Sequence, residues 1–119
     1  MGQSDTILDL IGNTPMIRLK KISPDHDIRA KCEFMNPLSL KDRAVLQIIE
    51  DAEREDRLHP GQTLIECTSG NTGMAVAMIG AVKGYPVILV MCEIQSLERR
   101  KVLKALGAEL VLTPRNEGT

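Results

Sequence analysis

Two stretches of this chain carry side chains able to do chemistry. The first, Thr68-Ser69-Gly70-Asn71-Thr72-Gly73, sets three hydroxyls, an amide and two glycines between an apolar run, Thr63 to Ile65, and a long apolar segment, Met74 to Val82. Glycine lets the backbone turn tightly or approach a ligand closely. The N–H groups left free where a helix begins, with hydroxyls beside them, accept an anion such as a carboxylate or a phosphate. A plain polar turn leading into a helix is the competing reading, and the residue types alone leave both open. The stretch is not a Walker A sequence, because no Gly-Lys-Ser/Thr follows, and it is not a G-x-G-x-x-G fingerprint. The second candidate is Lys41, placed after the break at Asn36-Pro37-Leu38-Ser39 and at the start of a helical pattern. A helix N-terminus opposes a permanent cation. That misfit gains meaning if the amine is joined to a carbonyl cofactor; an ordinary solvated lysine is the alternative.

The elements that must position these residues follow from periodicity. Asp5 to Leu10 reads as a lead-in with one helical turn, and Gly12-Asn13-Thr14-Pro15 as a turn. Met16 to Leu19 and Ile28 to Phe34 read as strands. Val45, Ile48, Ile49 and Ala52 form one apolar stripe on a helix that opens at Lys41 and is ended by His59-Pro60-Gly61. From Thr63 the order is strand (Thr63–Glu66), helix (Thr72–Lys83, apolar nearly all round), strand (Pro86–Met91, an apolar run expected to be covered on both faces), helix and strand (Glu109–Thr113). Gly84 suits a left-handed helix end, Ser96 an N-cap for the next helix, and Gly107 its stop. Right-handed crossovers turn β-α-β-α-β into a parallel sheet, with ligands bound beyond the carboxyl ends of its strands. The fold class is therefore α/β, a three-layer parallel sheet with helices on both faces. The Thr68–Gly73 loop falls at a strand's carboxyl end.

Composition narrows the function classes. With 119 residues, 43% hydrophobic and 26% charged, the chain is long enough for one modest domain with its own core. A net charge of −1 gives no electrostatic case for nucleic acid or an anionic membrane, and one Phe, one Tyr and no Trp leave little to stack bases on. Cys32, Cys67 and Cys92 form no metal-ligand spacing, so no metal site is expected, and an odd, unpaired set suits a reducing cytoplasm. No apolar run approaches a membrane span and no signal peptide is evident. Met1-Gly2 with Thr6 matches only the loose myristoylation pattern.

Several separate stretches, in order, resemble a known family. Ile11 to Pro15, Asn36-Pro37-Leu38-Ser39-Leu40-Lys41-Asp42-Arg43, Ile49 to Arg54, Thr68 to Gly73, Ser96 to Lys101 and Leu106 to Glu109 are similar to the pyridoxal-phosphate enzymes of the tryptophan synthase β fold. Within them the likeness is greatest to cysteine synthase (O-acetylserine sulfhydrylase) and cystathionine β-synthase. The resemblance implies that Lys41 holds pyridoxal 5'-phosphate and removes the substrate's α-proton. It implies that Asn71 hydrogen-bonds the cofactor's ring hydroxyl. Thr68, Ser69, Gly70, Asn71 and Thr72 then form the loop that clamps the carboxylate of an amino-acid substrate. The implied reaction is replacement of acetate in O-acetyl-L-serine by sulfide, giving L-cysteine, with a homodimer as the full-length assembly. A catalytically incomplete module, or a sibling such as cystathionine β-synthase or threonine dehydratase, are the alternatives. By the same resemblance, residues 1–35 would be lead-in strands that normally join a larger domain, 36–119 would be the small α/β domain, and the family's C-terminal domain, with the loop for the cofactor phosphate, would be absent. Leu38-Ser39-Leu40 is one residue shorter than the family pattern, and Cys67 and Cys92 stand where relatives often carry proline.

Overall fold

A computed structural model describes residues 4–68 and 70–116. Ser69 and the Met1-Gly2 pattern lie outside the described residues. The expected helical turn near the start is a 3-10 turn, Ile7–Leu10, held by a reciprocal cap: Thr6 Oγ1 accepts from the Leu8 N–H, and Asp9 Oδ2 accepts from the N–H groups of Asp5 and Thr6. Strands β1 (Met16–Arg18) and β2 (Arg29–Lys31) pair antiparallel, Met16 opposite Lys31. The strand expected over Ile28 to Phe34 is cut short. After buried Cys32 the chain bends into a 3-10 turn, Glu33–Met35, closed by the Asn36 side chain, which donates to the Glu33 carbonyl at 2.8 Å. The bend leaves Phe34 exposed and turns Glu33 back toward the next helix.

Helix α1 runs Lys41–Arg54. Val45 and Ile49 of its apolar stripe are buried, whereas Ile48 is 66% exposed, at the margin of the packed face. The helix ends before His59-Pro60-Gly61, because Asp56 adopts the left-handed region (φ 58°) and the Arg57 and Leu58 N–H groups turn back to the Ala52 carbonyl.

The second half is a parallel three-stranded sheet in the order β3 (Leu64–Cys67), β4 (Val87–Cys92), β5 (Glu109–Thr113), with Leu64 opposite Val87 and Ile88 opposite Glu109. Helices α2 (Asn71–Lys83) and α3 (Leu97–Ala105) are the crossovers. Gly84 (φ 80°) and Gly107 (φ 90°) end them in the left-handed region, and Ser96 Oγ accepts from the Arg99 N–H. Gly73 and Gly80, seven positions apart, share the α2 face that presses on the sheet: a Cβ on Gly73 would meet Leu89, and one on Gly80 would overlap Val87. Leu89, Met91, Ile79 and Leu103 are the fully buried centre of the core.

The α/β class and the parallel sheet with helices are as expected. Among the described residues, α2 and α3 touch each other and share the face carrying Val87, Leu89 and Leu110. The other face of β4 is therefore less covered than the apolar run suggested: Ile88 and Val90 are half-buried, and their neighbours Ile65 and Val111 are exposed. The β1–β2 hairpin adds to the exposed apolar surface through Met16 and Ile17. A radius of gyration of 17.2 Å, against about 13.5 Å for a compact chain of this length, reflects parts that stand off the core. Among the described residues no helix is long and apolar enough to cross a membrane, and no cluster of His, Cys, Asp or Glu could hold a metal ion.

Candidate active site

Lys41 and Asn71 open α1 and α2, two helices that pack side by side. Their relative direction is set by contacts at the far end. Glu53, in the last turn of α1, pairs with Lys83, the last residue of α2, at 2.7 Å and accepts a hydrogen bond from the Tyr85 hydroxyl at 2.8 Å. With their C-termini joined there, the two helices run the same way. Lys41 and Asn71 each lie twelve positions before their helix's member of the pair, ~18 Å along the axis. Both helix N-termini thus stand at one end, level with the carboxyl end of β3. A groove of about 160 Å³ runs between the helices and β3, lined by Val45 and Ile49 on one side and Glu66, Thr72 and Val76 on the other.

The chemistry-bearing groups at this end are free to act. Lys41 is exposed, and its Nζ makes no hydrogen bond or ion pair among the described residues. Leu40 and Gly70 occupy the cap positions of α1 and α2, and neither makes a side-chain cap. At α1 the first N–H is taken by Ser39 Oγ, whereas among the described residues no side chain takes the first N–H groups of α2, so the α2 start can serve an external acceptor. Thr68 follows β3 directly: its N–H donates to the Val90 carbonyl at 3.0 Å, and its Oγ1 accepts from the Gly70 N–H at 3.2 Å. Nothing lies within 4 Å of where a Gly70 side chain would begin, which leaves open space above the helix start. At Gly73 the reverse holds, with Thr68 Cγ2 only 2.5 Å from a Cβ placed there. The structure brings Thr68, Gly70, Asn71 and Thr72 together at the end where Lys41 stands; Ser69 is outside the described residues.

The loop before Lys41 is tied to its own helix. Asp42, fully buried, accepts from the N–H groups of Leu38 (2.8 Å) and Ser39 (3.0 Å) through Oδ2, while its Oδ1 has no partner. Ser39 Oγ accepts from the Lys41 N–H.

Beside it lies a polar hub that periodicity could not reveal. Arg43 Nε and Nη2 donate to the two carboxylate oxygens of Glu33, at 2.7 and 3.0 Å, and Nη2 also reaches Thr14 Oγ1. The Thr14 hydroxyl donates to Glu33 at 2.5 Å, and Lys31 Nζ donates to the Thr14 carbonyl. Asn36 donates to Glu33 and accepts from the Gly12 N–H at 2.8 Å. The Arg43 guanidinium, helped by the Thr14 and Asn36 donors, holds the Glu33 carboxyl down at about 2. Thr14, Asn36 and Arg43 fall within the stretches Ile11–Pro15 and Asn36–Arg43 that carry the resemblance; Glu33 carried no signal in sequence.

Residues 7–119 match the family described as pyridoxal-phosphate dependent enzyme. The chain is 56% identical over 115 residues to cystathionine beta-synthase of Mus musculus, covering 92% of this chain and 20% of that protein. It is 52% identical over 113 residues to the cysteine synthase of a Flavobacterium strain, covering 93% and 37%. Among solved structures, O-acetyl serine sulfhydrylase isoform 3 from Entamoeba histolytica superposes with a TM-score of 0.90 at 42% identity, over 98% of this chain and 37% of that one. An O-ureido-L-serine synthase superposes at 0.89 with 45% identity, over 99% and 38%. The chain thus spans between a fifth and somewhat over a third of the length of these relatives.

Proposed function

Because this chain belongs to the pyridoxal-phosphate dependent enzymes, we propose that it is the lysine- and substrate-loop-bearing part of a cysteine synthase, replacing the acetate of O-acetyl-L-serine with sulfide to give L-cysteine. One observation carries this reading: the free amine of Lys41 stands at the same end of two parallel helices as the uncapped start of α2. The open space at Gly70 and the bare N–H groups are what a bound planar cofactor and a carboxylate require. Pyridoxal phosphate, when bound, supplies the electron sink that lets an amino acid lose its α-proton and its β-substituent.

The chain's own residues do the rest. Lys41 Nζ holds the cofactor and takes the α-proton. The Asn71 amide bonds the cofactor's ring hydroxyl. The N–H groups at the start of α2, with the hydroxyls of Thr68, Ser69 and Thr72, receive the α-carboxylate and orient the substrate; Gly70 keeps the approach open. Residues 1–35 serve as lead-in strands to a larger domain and 36–119 as the small domain, in an enzyme that works as a homodimer. Three free thiols, Cys32, Cys67 and Cys92, support a cytoplasmic setting.

The test is chemical. The chain is mixed with pyridoxal phosphate, reduced with borohydride and digested. Label concentrated on Lys41, abolished in Lys41→Ala and reduced by O-acetyl-L-serine, is the expected result. Label spread evenly over the exposed lysines removes the reading. Cystathionine β-synthase is kept as a second reading because the identity to that enzyme, 56%, exceeds the 52% to cysteine synthase; the two differ in the incoming sulfur compound, so product analysis with sulfide and a thiol amino acid offered together, cysteine against thioether, separates them.

A further inference from the structure

The pairs made by α1 with its surroundings differ in reach. Arg54–Asp51 joins neighbours on the helix itself, and Arg57–Glu55 lies in the segment just after it. Arg43–Glu33 alone among the ion pairs of the described α1 residues reaches the chain before the helix, and it does so with two prongs. Its surroundings extend it: Thr14 bridges both partners, and Asn36 links Glu33 to the Gly12 N–H. Two of these four residues, Thr14 and Asn36, are only 5% exposed.

The position of this hub matters because of what holds the start of α1. The Asp42 and Ser39 bonds tie the loop to the helix, so they move with it. On the α2 side the first buried anchor is Val45, a full turn beyond Lys41. Among the described residues, the side-chain bonds that tie the first turn to chain outside residues 38–54 run to Glu33 and Thr14. We propose that the Glu33–Arg43 pair, bridged by Thr14, positions Lys41: it fixes the first turn of α1 and thereby the direction from which the amine faces the Thr68–Gly73 loop. This rests on the role given to Lys41 above, and it makes Glu33 and Arg43 positioning residues that never touch substrate. Bidentate guanidinium–carboxylate geometry suits such a task, because it constrains orientation as well as distance. A loosened first turn misplaces the amine by a fraction of an ångström to an ångström, enough for an effect of about tenfold or more on its capture.

Two measurements on the full chain test this, with Glu33→Gln, Arg43→Lys and, as a control, Glu55→Gln. In the first, amide hydrogen exchange is followed without cofactor. Residues 38–43 exchange about tenfold faster in Glu33→Gln, while residues 75–79 of α2 keep their protection. In the second, borohydride-trapped pyridoxal label at Lys41 is divided by label at exposed Lys20 and Lys104 in the same sample. The ratio falls about tenfold in Glu33→Gln, less in Arg43→Lys, and not in Glu55→Gln. Unchanged exchange at residues 38–43 overturns the inference. So does an unchanged labelling ratio in a chain whose wild type does select Lys41, because the pair then serves stability alone. A wild type with no preference for Lys41 removes the functional reading instead, while quickened exchange in Glu33→Gln still upholds the positioning role. If Glu33→Gln fails to fold, Thr14→Val, which deletes only the bridging hydroxyl, carries the same two measurements.

Discussion

Replacing each of the two α2 glycines that face the sheet by alanine should produce opposite outcomes. A methyl on Gly80 would overlap Val87 Cγ2 and come within 3.2 Å of the Tyr85 carbonyl oxygen. Val87 is a β-branched residue of the central strand, 6% exposed, and the Tyr85 backbone is bonded to Gly80 itself, so neither can yield cheaply. Overpacking of this kind costs about 1–3 kcal/mol, against which alanine recovers about 1 kcal/mol of helix propensity. The net loss of up to about 2 kcal/mol lowers Tm by about 4–8 °C per kcal/mol for a chain near this size. A methyl on Gly73 would meet Thr68 Cγ2 at 2.5 Å, but Thr68 is a half-buried side chain in a loop and can rotate. A rotamer cost of about 0.5–1.5 kcal/mol then nearly cancels the propensity gain. Stability stays within about 0.5 kcal/mol of wild type, while the Thr68 Oγ1 bond to the Gly70 N–H is lost. Thermal melts by circular dichroism, paired with protection of Lys41 from labelling by O-acetyl-L-serine, read both effects. Gly80→Ala should melt lower and keep protection; Gly73→Ala should melt normally and lose it. A Gly73→Ala chain that melts as low as Gly80→Ala, or a Gly80→Ala chain as stable as wild type, would refute the packing derived from the two glycines.

Other perturbations have equally definite signs. The Glu33 carboxyl is held at about 2, below its ordinary 4.5, so its contribution to stability is whole above pH 4.5 and disappears as pH falls toward 2; an acid titration of Tm should be flatter in that window for Glu33→Gln. Tyr85 is shifted upward from 10 by its bond to the Glu53 carboxylate, so its contribution is whole below pH 10 and is lost as pH rises through the raised value. Tyr85→Phe should melt lower than wild type at neutral pH, with the difference narrowing in strong alkali. Ile65, 66% exposed on the open face of the sheet, should accept threonine with a change in Tm corresponding to less than about 0.5 kcal/mol, and dye binding to exposed apolar surface should fall.

Local pattern was enough for the β-α-β-α-β half. Val87–Cys92 and Asn71–Lys83 are long apolar runs, the second set between Gly70 and Gly84, and left-handed Gly84 and Gly107 stop the helices where the chain must reverse. It was less informative where distant groups compete with local preference. The β-like run of Ile28 to Phe34 breaks at Cys32, because Glu33 finds the Arg43 guanidinium ten positions on, and no window along the chain contains that bond's benefit. Likewise α1 ends at Arg54, with Asp56 supplying the reversal that the later Pro60-Gly61 had suggested. The open face of β4 shows the same limit, since an apolar residue states that burial is favourable and not which element provides it.

By itself, then, the amino-acid order determined which groups could react: an amine at a helix start, and a hydroxyl- and glycine-rich turn at the end of a strand, each dictated by backbone preferences acting over a few residues. Only the tertiary structure decided that these two places share one end of the molecule, because that depends on a carboxylate at the far end of α1 meeting an ammonium at the far end of α2. Contacts between residues thirty positions apart are set by how rigid helices stack, and short-range sequence pattern contains no measure of that distance.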